Sequence, residues 1–198
     1  MAEADRPTFY YDYSSVYAYL AACRMQDVLP VEPEWHPIWL PAVFAATGRV
    51  SWVFTDAREE GIAEVERRAA QYGLPFTRHD DLIDKLSERG SLLAQRAGVV
   101  AKEAGKLVPY SRDLFERFNA RGEDITDPAT IAAAAEAAGL DGSETVGRCG
   151  DQDVKDEVKR LTQEAIDRGV IGVPTVAVGE ELFWGDDRLE EAAAAIRA

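Results

Sequence analysis

The sequence predicts an α/β fold in which two short, strand-bearing ends enclose a long and mainly helical middle. Three observations favour this class. An aromatic-rich run over residues 8–13 leads into a helix start. Residues 41–148 carry mostly helical patterns. Near the other end, Val173 and Pro174 head an apolar run, which turns at Gly179 into a second short run and then a final helix.

The N-terminal elements follow from residue type and spacing. Thr8 to Tyr13 predicts the first strand, and Ser14 or Ser15 can cap the helix that follows. The apolar face of that helix, which we expect to be buried, is formed by Val16, Tyr19, Leu20 and Cys23. Residues 31–40 predict a second strand, which its two prolines keep short or at a sheet edge.

Helical patterns dominate the middle of the chain. They cover 57–72, 81–105, 110–121 and 128–138. Asp127 followed by Pro128 is a typical helix start, and Gly139 is a typical stop. Residues 142–150 predict a polar connector in which Cys149 is exposed.

The C-terminal elements return to the α/β pattern. Residues 151–168 predict a helix that ends at Gly169. Proline has no backbone N–H, so Pro174 belongs at a strand start, where a cis peptide bond is worth proposing. A second strand covers 181–184, and a last helix covers 186–197.

This order of elements is typical of a thioredoxin-like domain that is made from two separated segments. We assign residues 1–40 and 149–198 to that discontinuous domain, and residues 41–148 to an α-helical insertion domain. The helix between the first two strands is then a crossover, which is right-handed by default when the strands are parallel.

Composition excludes several partners and cofactors. A net charge of −14 without clustered Lys or Arg argues against a nucleic-acid groove and against binding to an anionic membrane. The N-terminus has no secretory signal, and no window reaches the ~20 apolar residues of a membrane helix, so we expect a cytoplasmic protein. Two cysteines and two histidines, all far apart, predict no metal site.

A serine pair at the strand-to-helix junction is the first candidate site. The N–H groups of a first helical turn lack partners and carry partial positive charge, so they favour anions and thiolates. Ser15 and Ala18 occupy the two positions where a dithiol centre would need cysteines. This chain therefore cannot exchange disulfides from this site, although the Ser15 hydroxyl can donate to a thiolate from another molecule. Ser14 and Ser15 as simple helix caps are the alternative.

Two segments, YYDYSSVYAYLA and RLTQEAIDRGVIGVPTVAVGEELFWGDDRLEEA, resemble the 2-hydroxychromene-2-carboxylate isomerase family. That family lies within the DsbA-like group of thioredoxin folds, close to the kappa-class glutathione transferases. The first segment is similar to its pattern of aromatic, Asp, aromatic, any residue and Ser-Pro-aromatic. The second is similar to its G-V-x-G-V-P-T strand and its W-G-x-D-R helix start. The resemblance is only general through the helical middle.

The resemblance implies a site for glutathione, or another small thiol, as cofactor beside a small aromatic substrate. The catalytic serine of the family falls on Ser15. Val173, just before Pro174, is expected to pair its backbone with the peptide of glutathione as an extra strand. A homodimer is a further expectation carried from relatives.

The start of the last helix supplies the rest of the implied site. Asp187 falls on the acidic residue that meets the γ-glutamyl amino group, and the N–H groups of the turn that begins at Asp186 are expected to hold the γ-glutamyl carboxylate. Arg188 is expected to pair with Asp187 or to order the turn. Arg49 stands where the family commonly has Asn, and is expected to meet a carboxylate through its charge.

Two further departures from the family pattern affect the site. Val16 replaces the proline after the serine, so its N–H is available. Arg68 replaces an aromatic residue, and with Glu64 it is interpreted as a surface ion pair of little energetic weight. The sequence leaves open whether Trp35, Trp39 and Trp52 line a pocket or pack in the core.

The leading hypothesis is a glutathione-dependent isomerase, acting by transient thiolate addition to a conjugated aromatic 2-oxo acid. A kappa-class-like glutathione transferase would use the same residues and release a conjugate. A DsbA-like oxidoreductase is a third alternative, which the absence of cysteine at Ser15 and Ala18 disfavours. A non-catalytic binding module is the fourth, because fold does not imply function.

Overall fold

A computed structural model describes residues 6–197, without the side chains of residues 87–89. The strands are β1 (Thr8–Tyr11), β2 (Glu34–Pro37), β3 (Thr175–Val178) and β4 (Glu181–Trp184). The helices are α1 (Val16–Val28), α2 (Leu40–Thr47), α3 (Arg58–Tyr72), α4 (Asp80–Arg89), α5 (Leu92–Glu103), α6 (Leu107–Asn119), α7 (Pro128–Ala137), α8 (Gly142–Arg148), α9 (Gln152–Asp167) and α10 (Leu189–Arg197). Short 3-10 helices cover Trp52–Phe54 and Asp186–Arg188.

The four strands form one mixed sheet in the order β2-β1-β3-β4. β1 and β2 run parallel and are joined by the crossover helix α1, whereas β3 is antiparallel to both β1 and β4. β2 is an edge strand and shorter than the predicted run over 31–40, because prolines cannot donate to a neighbouring strand. This arrangement confirms the predicted α/β class.

Side chains that alternate along β1 serve two apolar cores, one on each face of the sheet. Phe9 and Tyr11 point into a core shared with α1, α10 and the helices of the middle. Tyr10 points into a second core that contains residues of α2 and α9. Helices therefore cover both faces of the sheet. The turn that carries Ser15 follows directly at the C-terminal end of β1.

Hydroxyl groups tie the end of β1 to the helical middle. The phenol oxygens of Tyr11 and Tyr13 each lie 2.8 Å from Ser111 Oγ on α6, and all three residues are fully buried. The apolar core is likewise continuous between sheet and middle. The predicted division into 1–40 plus 149–198 and 41–148 stays a prediction, and its residues 1–5 and 198 lie outside the described residues.

The predicted single helix over 81–105 is wrong, because the chain forms two helices there. Gly90 ends α4 with a φ of 67°, in the left-handed region that glycine adopts without strain. Ser91 then donates its hydroxyl hydrogen to the buried carboxylate of Asp12. This break turns the chain back toward the end of β1.

Two other segments differ from their predicted structure. The connector predicted over 142–150 contains α8, which begins because the Asp141 carboxylate accepts a hydrogen bond from the Glu144 N–H. α2 was not predicted as a helix, although Pro41 in its first turn is a typical start signal. Both helices are short and lack a clear apolar stripe, so periodicity does not indicate them.

Both cysteine predictions are wrong. Cys149 is buried at the end of α8, where its thiol lies 3.2 Å from the carbonyl oxygen of Thr145. Cys23 is exposed although it lies at the predicted apolar spacing. Tyr19 and Leu20 of the predicted face are buried, and the rest of the buried face of α1 comes from its alanines and Met25.

Replacing Gly98 with alanine is expected to destabilise the protein by about 1–3 kcal/mol, the cost of an overpacked core. A β-carbon at this position in α5 would lie 2.6 Å from the phenol oxygen of Tyr13. Gly147 in α8 has no atom near such a β-carbon, so Gly147→Ala is the matched control and should be neutral or stabilising. Urea unfolding measures both variants, and equal stabilities would contradict the packing argument.

Candidate active site

A cavity of about 300 Å³ opens where the carboxyl end of β1 meets the helical middle. One wall is formed by the start of α1, the segment before β3 and the turn before α10. The opposite wall comes from α2, α3, α4 and α6. Ser15, Val173, Pro174, Asp186 and Asp187 all line it, so the fold brings together most of the predicted site residues.

Ser15 caps α1, as the sequence predicts. Its backbone is extended, and its Oγ accepts a hydrogen bond from the Ala18 N–H at 3.2 Å. Because that bond uses an oxygen lone pair, the hydroxyl hydrogen is free to donate into the cavity. Among the described residues, the N–H groups of Val16 and Tyr17 have no acceptor. Ser15, Val16 and Tyr17 all line the cavity, so the start of α1 offers it three donors.

Asp12 holds the turn that carries Ser15, a role that no sequence pattern indicated. The carboxylate is fully buried and accepts hydrogen bonds from the N–H and the hydroxyl of Ser14, at 2.9 and 2.7 Å. Its second oxygen accepts from the Leu40 N–H at 2.9 Å and from Ser91 Oγ at 3.0 Å. Burial raises the pKa of Asp12, and the four donors oppose that shift. Asp12 therefore joins the Ser15 turn to α2 and α5.

The segment before β3 presents an unused backbone edge to the cavity. The peptide bond between Val173 and Pro174 is cis. Within residues 6–197, neither the N–H nor the carbonyl oxygen of Val173 forms a hydrogen bond. The Pro174 carbonyl accepts from the Gly185 N–H at 3.0 Å, which ties this segment to the turn before α10.

Two carboxylates stand at that turn in different surroundings. Asp186 is buried, and burial raises the pKa of its carboxyl. Asp187 is 55 % exposed and points over Gly185, where a β-carbon would lie 2.4 Å from its Oδ1. Gly185 has a φ of 127°, which also requires glycine. In the described part of the chain, the N–H groups of Asp186 and Asp187 have no acceptor.

Arg188 lies outside the cavity wall. Its guanidinium pairs with Glu191, one turn along α10, at 2.5 Å. The predicted pairing of Arg188 with Asp187 is therefore wrong, because the two side chains of adjacent helical residues point apart. The backbone N–H of Arg188 does close the turn, through a bond to the Gly185 carbonyl oxygen at 3.3 Å.

Arg68 takes the position next to Asp187 instead, and the interpretation of Arg68 as a surface ion pair is wrong. Its Nη1 lies 2.7 Å from Asp186 Oδ1 and 3.5 Å from Asp187 Oδ2. Its Nε donates to Glu64 at 2.6 Å, and its guanidinium lies over the Tyr17 ring. Nη2 has no partner among residues 6–197, and Arg68 lines the cavity. The guanidinium thus keeps one donor edge for a ligand.

Arg49 contacts the site only indirectly. Its guanidinium stacks over the Trp184 ring at 4.6 Å, and Trp184 in turn lines the cavity. Arg49 itself lines a second hollow on the far side of α2. The structure therefore does not place Arg49 beside Ser15, and the expected contact with a carboxylate stays a prediction.

The wall contributed by the helical middle is mainly apolar and aromatic, and it also carries Arg68, Arg78 and His79. Trp52 packs face-on against α3, where a β-carbon at Gly61 would come within 2.2 Å of its ring. The other apolar residues of this wall are Leu40, Phe44, Val53, Ile62, Val65, Phe76, Ile83 and Phe118. Trp35 packs in the core, and Trp39 lines the second hollow. The cavity is thus polar at the Ser15 end and apolar at the other.

Residues 6–197 contain no group of His, Cys, Asp and Glu that is arranged to hold a metal ion. None of the helices in that range is both long enough and apolar enough to cross a membrane. The cavity donors described above are hydrogen-bonding groups and one guanidinium.

Known proteins of similar sequence and structure carry this fold. Glutathione S-transferase kappa 1 of Homo sapiens is 29 % identical over 91 % of this chain and 86 % of its own length. The 2-hydroxychromene-2-carboxylate isomerase of Sphingobium xenophagum is 27 % identical over 92 % of this chain and 93 % of its own length. A solved structure of a 2-hydroxychromene-2-carboxylate isomerase superposes with a TM-score of 0.80, at 22 % identity, covering 96 % of this chain and 94 % of that one.

More distant structures share the architecture alone. The cytosolic disulfide reductase DsbM of Pseudomonas aeruginosa, solved with GSH, has a TM-score of 0.62 at 16 % identity, over 97 % of this chain and 96 % of that one. The protein-family model that describes the DSBA-like thioredoxin domain matches residues 8–197 of this sequence, from the first residue of β1 to the last of α10. The predicted thioredoxin-like fold is thereby confirmed, and the chain belongs to the DSBA-like thioredoxin domain family.

Proposed function

We propose that this protein is a glutathione-dependent enzyme that isomerises a small conjugated aromatic 2-oxo acid. The observation that carries the proposal is the two-ended cavity, in which donors without cysteine face an apolar wall. Relatives named as an isomerase and as glutathione transferases support an enzyme of this class. Ser15 and Ala18 leave the chain without the dithiol that disulfide exchange requires.

The polar end fits glutathione group by group. The Ser15 hydroxyl and the free N–H groups of Val16 and Tyr17 suit a thiolate, since donors at a helix start stabilise negative charge. The unpaired N–H and carbonyl of Val173 suit a peptide that adds as a short strand. The hydroxyl hydrogen of Ser15 and the backbone groups named here have no acceptor or donor within the described chain, so a ligand satisfies them without displacing a protein contact.

The γ-glutamyl end of glutathione carries an ammonium and a carboxylate on one carbon. Asp187 is exposed enough to pair with the ammonium. The N–H groups of Asp186 and Asp187 and the free Nη2 of Arg68 suit the carboxylate. Because Arg68 also neutralises Asp186, the site keeps both signs of charge that such a zwitterion needs.

Bound glutathione would supply a nucleophilic sulfur for reversible addition to the conjugated substrate. The residues of the chain perform the remaining work. Ser15 and the α1 N–H groups keep the sulfur ionised at the moment of attack. Trp52, Phe44 and Phe118 hold the ring of the substrate in a dry position beside it. No electron is transferred, and both ligands keep their composition.

Product analysis separates the isomerase from the transferase that relatives also suggest. Calorimetry with glutathione and S-methylglutathione first tests the thiol site, and we expect glutathione to bind and Asp187→Ala to weaken that binding about tenfold. Turnover with a conjugated aromatic 2-oxo acid then shows recovered glutathione for an isomerase, or a stable conjugate for a transferase. Failure of every small thiol to bind would favour a non-catalytic binding module.

A further inference from the structure

His79 stands at the apolar end of the cavity and has no part in the thiol site described above. It precedes α4, and its side chain lines the cavity although only 9 % of the residue is exposed. The imidazole packs edge-on against Phe118, with ring centres 4.6 Å apart, and lies beside Phe76. The two aromatic rings that the imidazole contacts are therefore hydrocarbon.

Hydrogen bonding determines which ring nitrogen of His79 carries the proton. Nδ1 is bonded to the backbone carbonyl oxygen of Thr77, which can only accept, so Nδ1 carries the hydrogen. Burial lowers the pKa of His79, so the ring is neutral near pH 7, although Asp80 and Asp81 act in the opposite direction. Nε2 then holds a lone pair. Nε2 has no hydrogen-bond partner in the described part of the chain.

Arg78, the charged neighbour of His79, does not donate a hydrogen bond to Nε2. Arg78 also lines the cavity, but its guanidinium is bound by Glu59 and Asp80, each at 2.8 Å. The aromatic rings in contact with the imidazole are those of Phe76 and Phe118. Nε2 thus has no competing protein donor, so a ligand donor that reaches it from the cavity gains a hydrogen bond.

We infer that His79 is a specificity-determining residue whose Nε2 accepts a hydrogen bond from a hydroxyl group on the aromatic ring of the ligand. The ligand class is therefore a hydroxylated conjugated aromatic acid, with the hydroxyl at the ring end that points away from Ser15. This inference rests on the proposed function for the position of the ring, but it concerns binding alone. Its test needs no thiol chemistry.

The test compares 4-hydroxycinnamate with cinnamate and 4-methoxycinnamate, measured by calorimetry with S-methylglutathione present and absent. We expect the wild-type protein to bind 4-hydroxycinnamate about five- to tenfold more tightly than either comparator, the value of one hydrogen bond. In His79→Phe, which keeps a ring but no acceptor, the three ligands should bind equally. His79→Gln keeps an acceptor oxygen and should retain part of the preference.

The outcomes separate this inference from the proposed function. Equal binding of the three ligands by the wild-type protein overturns the role of His79, even where no variant folds. A preference that persists in a folded His79→Phe protein overturns it as well. If glutathione fails to bind while the hydroxyl preference depends on His79, the inference stands and the thiol-dependent activity does not. Thermal unfolding of each variant establishes that it is folded.

Discussion

Replacing Ser15 with alanine is expected to lower kcat/KM of the thiol-dependent reaction about 100-fold, the usual loss when one donor to a developing anion is removed. The hydroxyl is the side-chain donor at the start of α1, where the free N–H groups of Val16 and Tyr17 also point. Without it, the thiol of bound glutathione ionises less readily. The thiolate absorbance of the complex near 240 nm, followed against pH, should shift to higher pH in Ser15→Ala.

A structural effect must be separated from this electrostatic one, because Ser15 also caps α1. Losing such a cap costs about 1 kcal/mol of folding stability. Asp127 caps α7 by the same kind of bond, to the Ala129 N–H at 2.9 Å, and does not line the cavity. Asp127→Ala should therefore lose similar stability and keep full activity. Ser15→Thr keeps both the helix cap of α1 and the hydroxyl group, so this variant should retain most of the activity.

Unchanged turnover in a folded Ser15→Ala protein would rule out the proposed role of the hydroxyl. A loss of activity that Asp127→Ala shares would point to stability instead. A loss in Ser15→Ala without any shift of the thiolate titration would mean that the serine positions the thiol and does not ionise it. Each result assigns Ser15 a different role.

Much of the fold could be predicted because local signals agree with it. Prolines and glycines indicated the strand edges and turns around Pro174, and apolar spacing indicated α1, α3 and α9. α8 was missed because its start depends on one capping carboxylate, Asp141, and not on an apolar stripe. The break at Gly90 was missed because the two flanking helices share a continuous helical pattern.

The site residues that could be proposed from sequence are those that stand in short local motifs. Ser15, Val173 and Asp187 belong to motifs at strand ends, and the fold gathers them in one cavity. Arg68 was misread because its partner Asp186 is 118 residues away. The role of Asp12 was not predicted, because its partners come from α2 and the start of α5. His79 was not predicted as a residue of the cavity. Its burial depends on Phe118 from α6, which local sequence does not reveal.

Replacing Arg68 with alanine is expected to destabilise the protein by about 3 kcal/mol at pH 7.5, the typical cost of removing one partner of a buried ion pair. Asp186 is 1 % exposed, and its remaining side-chain partner is the Tyr72 hydroxyl at 3.3 Å. The buried carboxylate would then lack its cation. We also expect weaker glutathione binding, since the free Nη2 of Arg68 is lost with the side chain.

The loss of unfolding free energy caused by Arg68→Ala should depend on pH, because it depends on the ionisation of Asp186. Burial raises its folded-state pKa above the unfolded value, and Arg68 opposes that shift. Without Arg68 the folded pKa rises further, so the folded variant takes up a proton at a pH where the unfolded chain is still ionised. Protonation removes the unpaired charge. The difference in unfolding free energy between wild type and Arg68→Ala should therefore shrink as the pH falls from 7.5 toward 5.

Arg67 provides the matched control, because it precedes Arg68 on α3 and also bonds Glu64, at 2.7 Å, but is 61 % exposed and does not reach Asp186. Urea unfolding of Arg67→Ala should show little loss at any pH, since exposed pairs contribute little. Arg68→Lys keeps the charge and should recover part of the stability. If Arg68→Ala and Arg67→Ala lose equal stability, or if the Arg68→Ala penalty is the same at pH 5 and pH 7.5, Arg68 does not neutralise a buried Asp186. In that case the guanidinium of Arg68 contributes to ligand binding and not to folding stability.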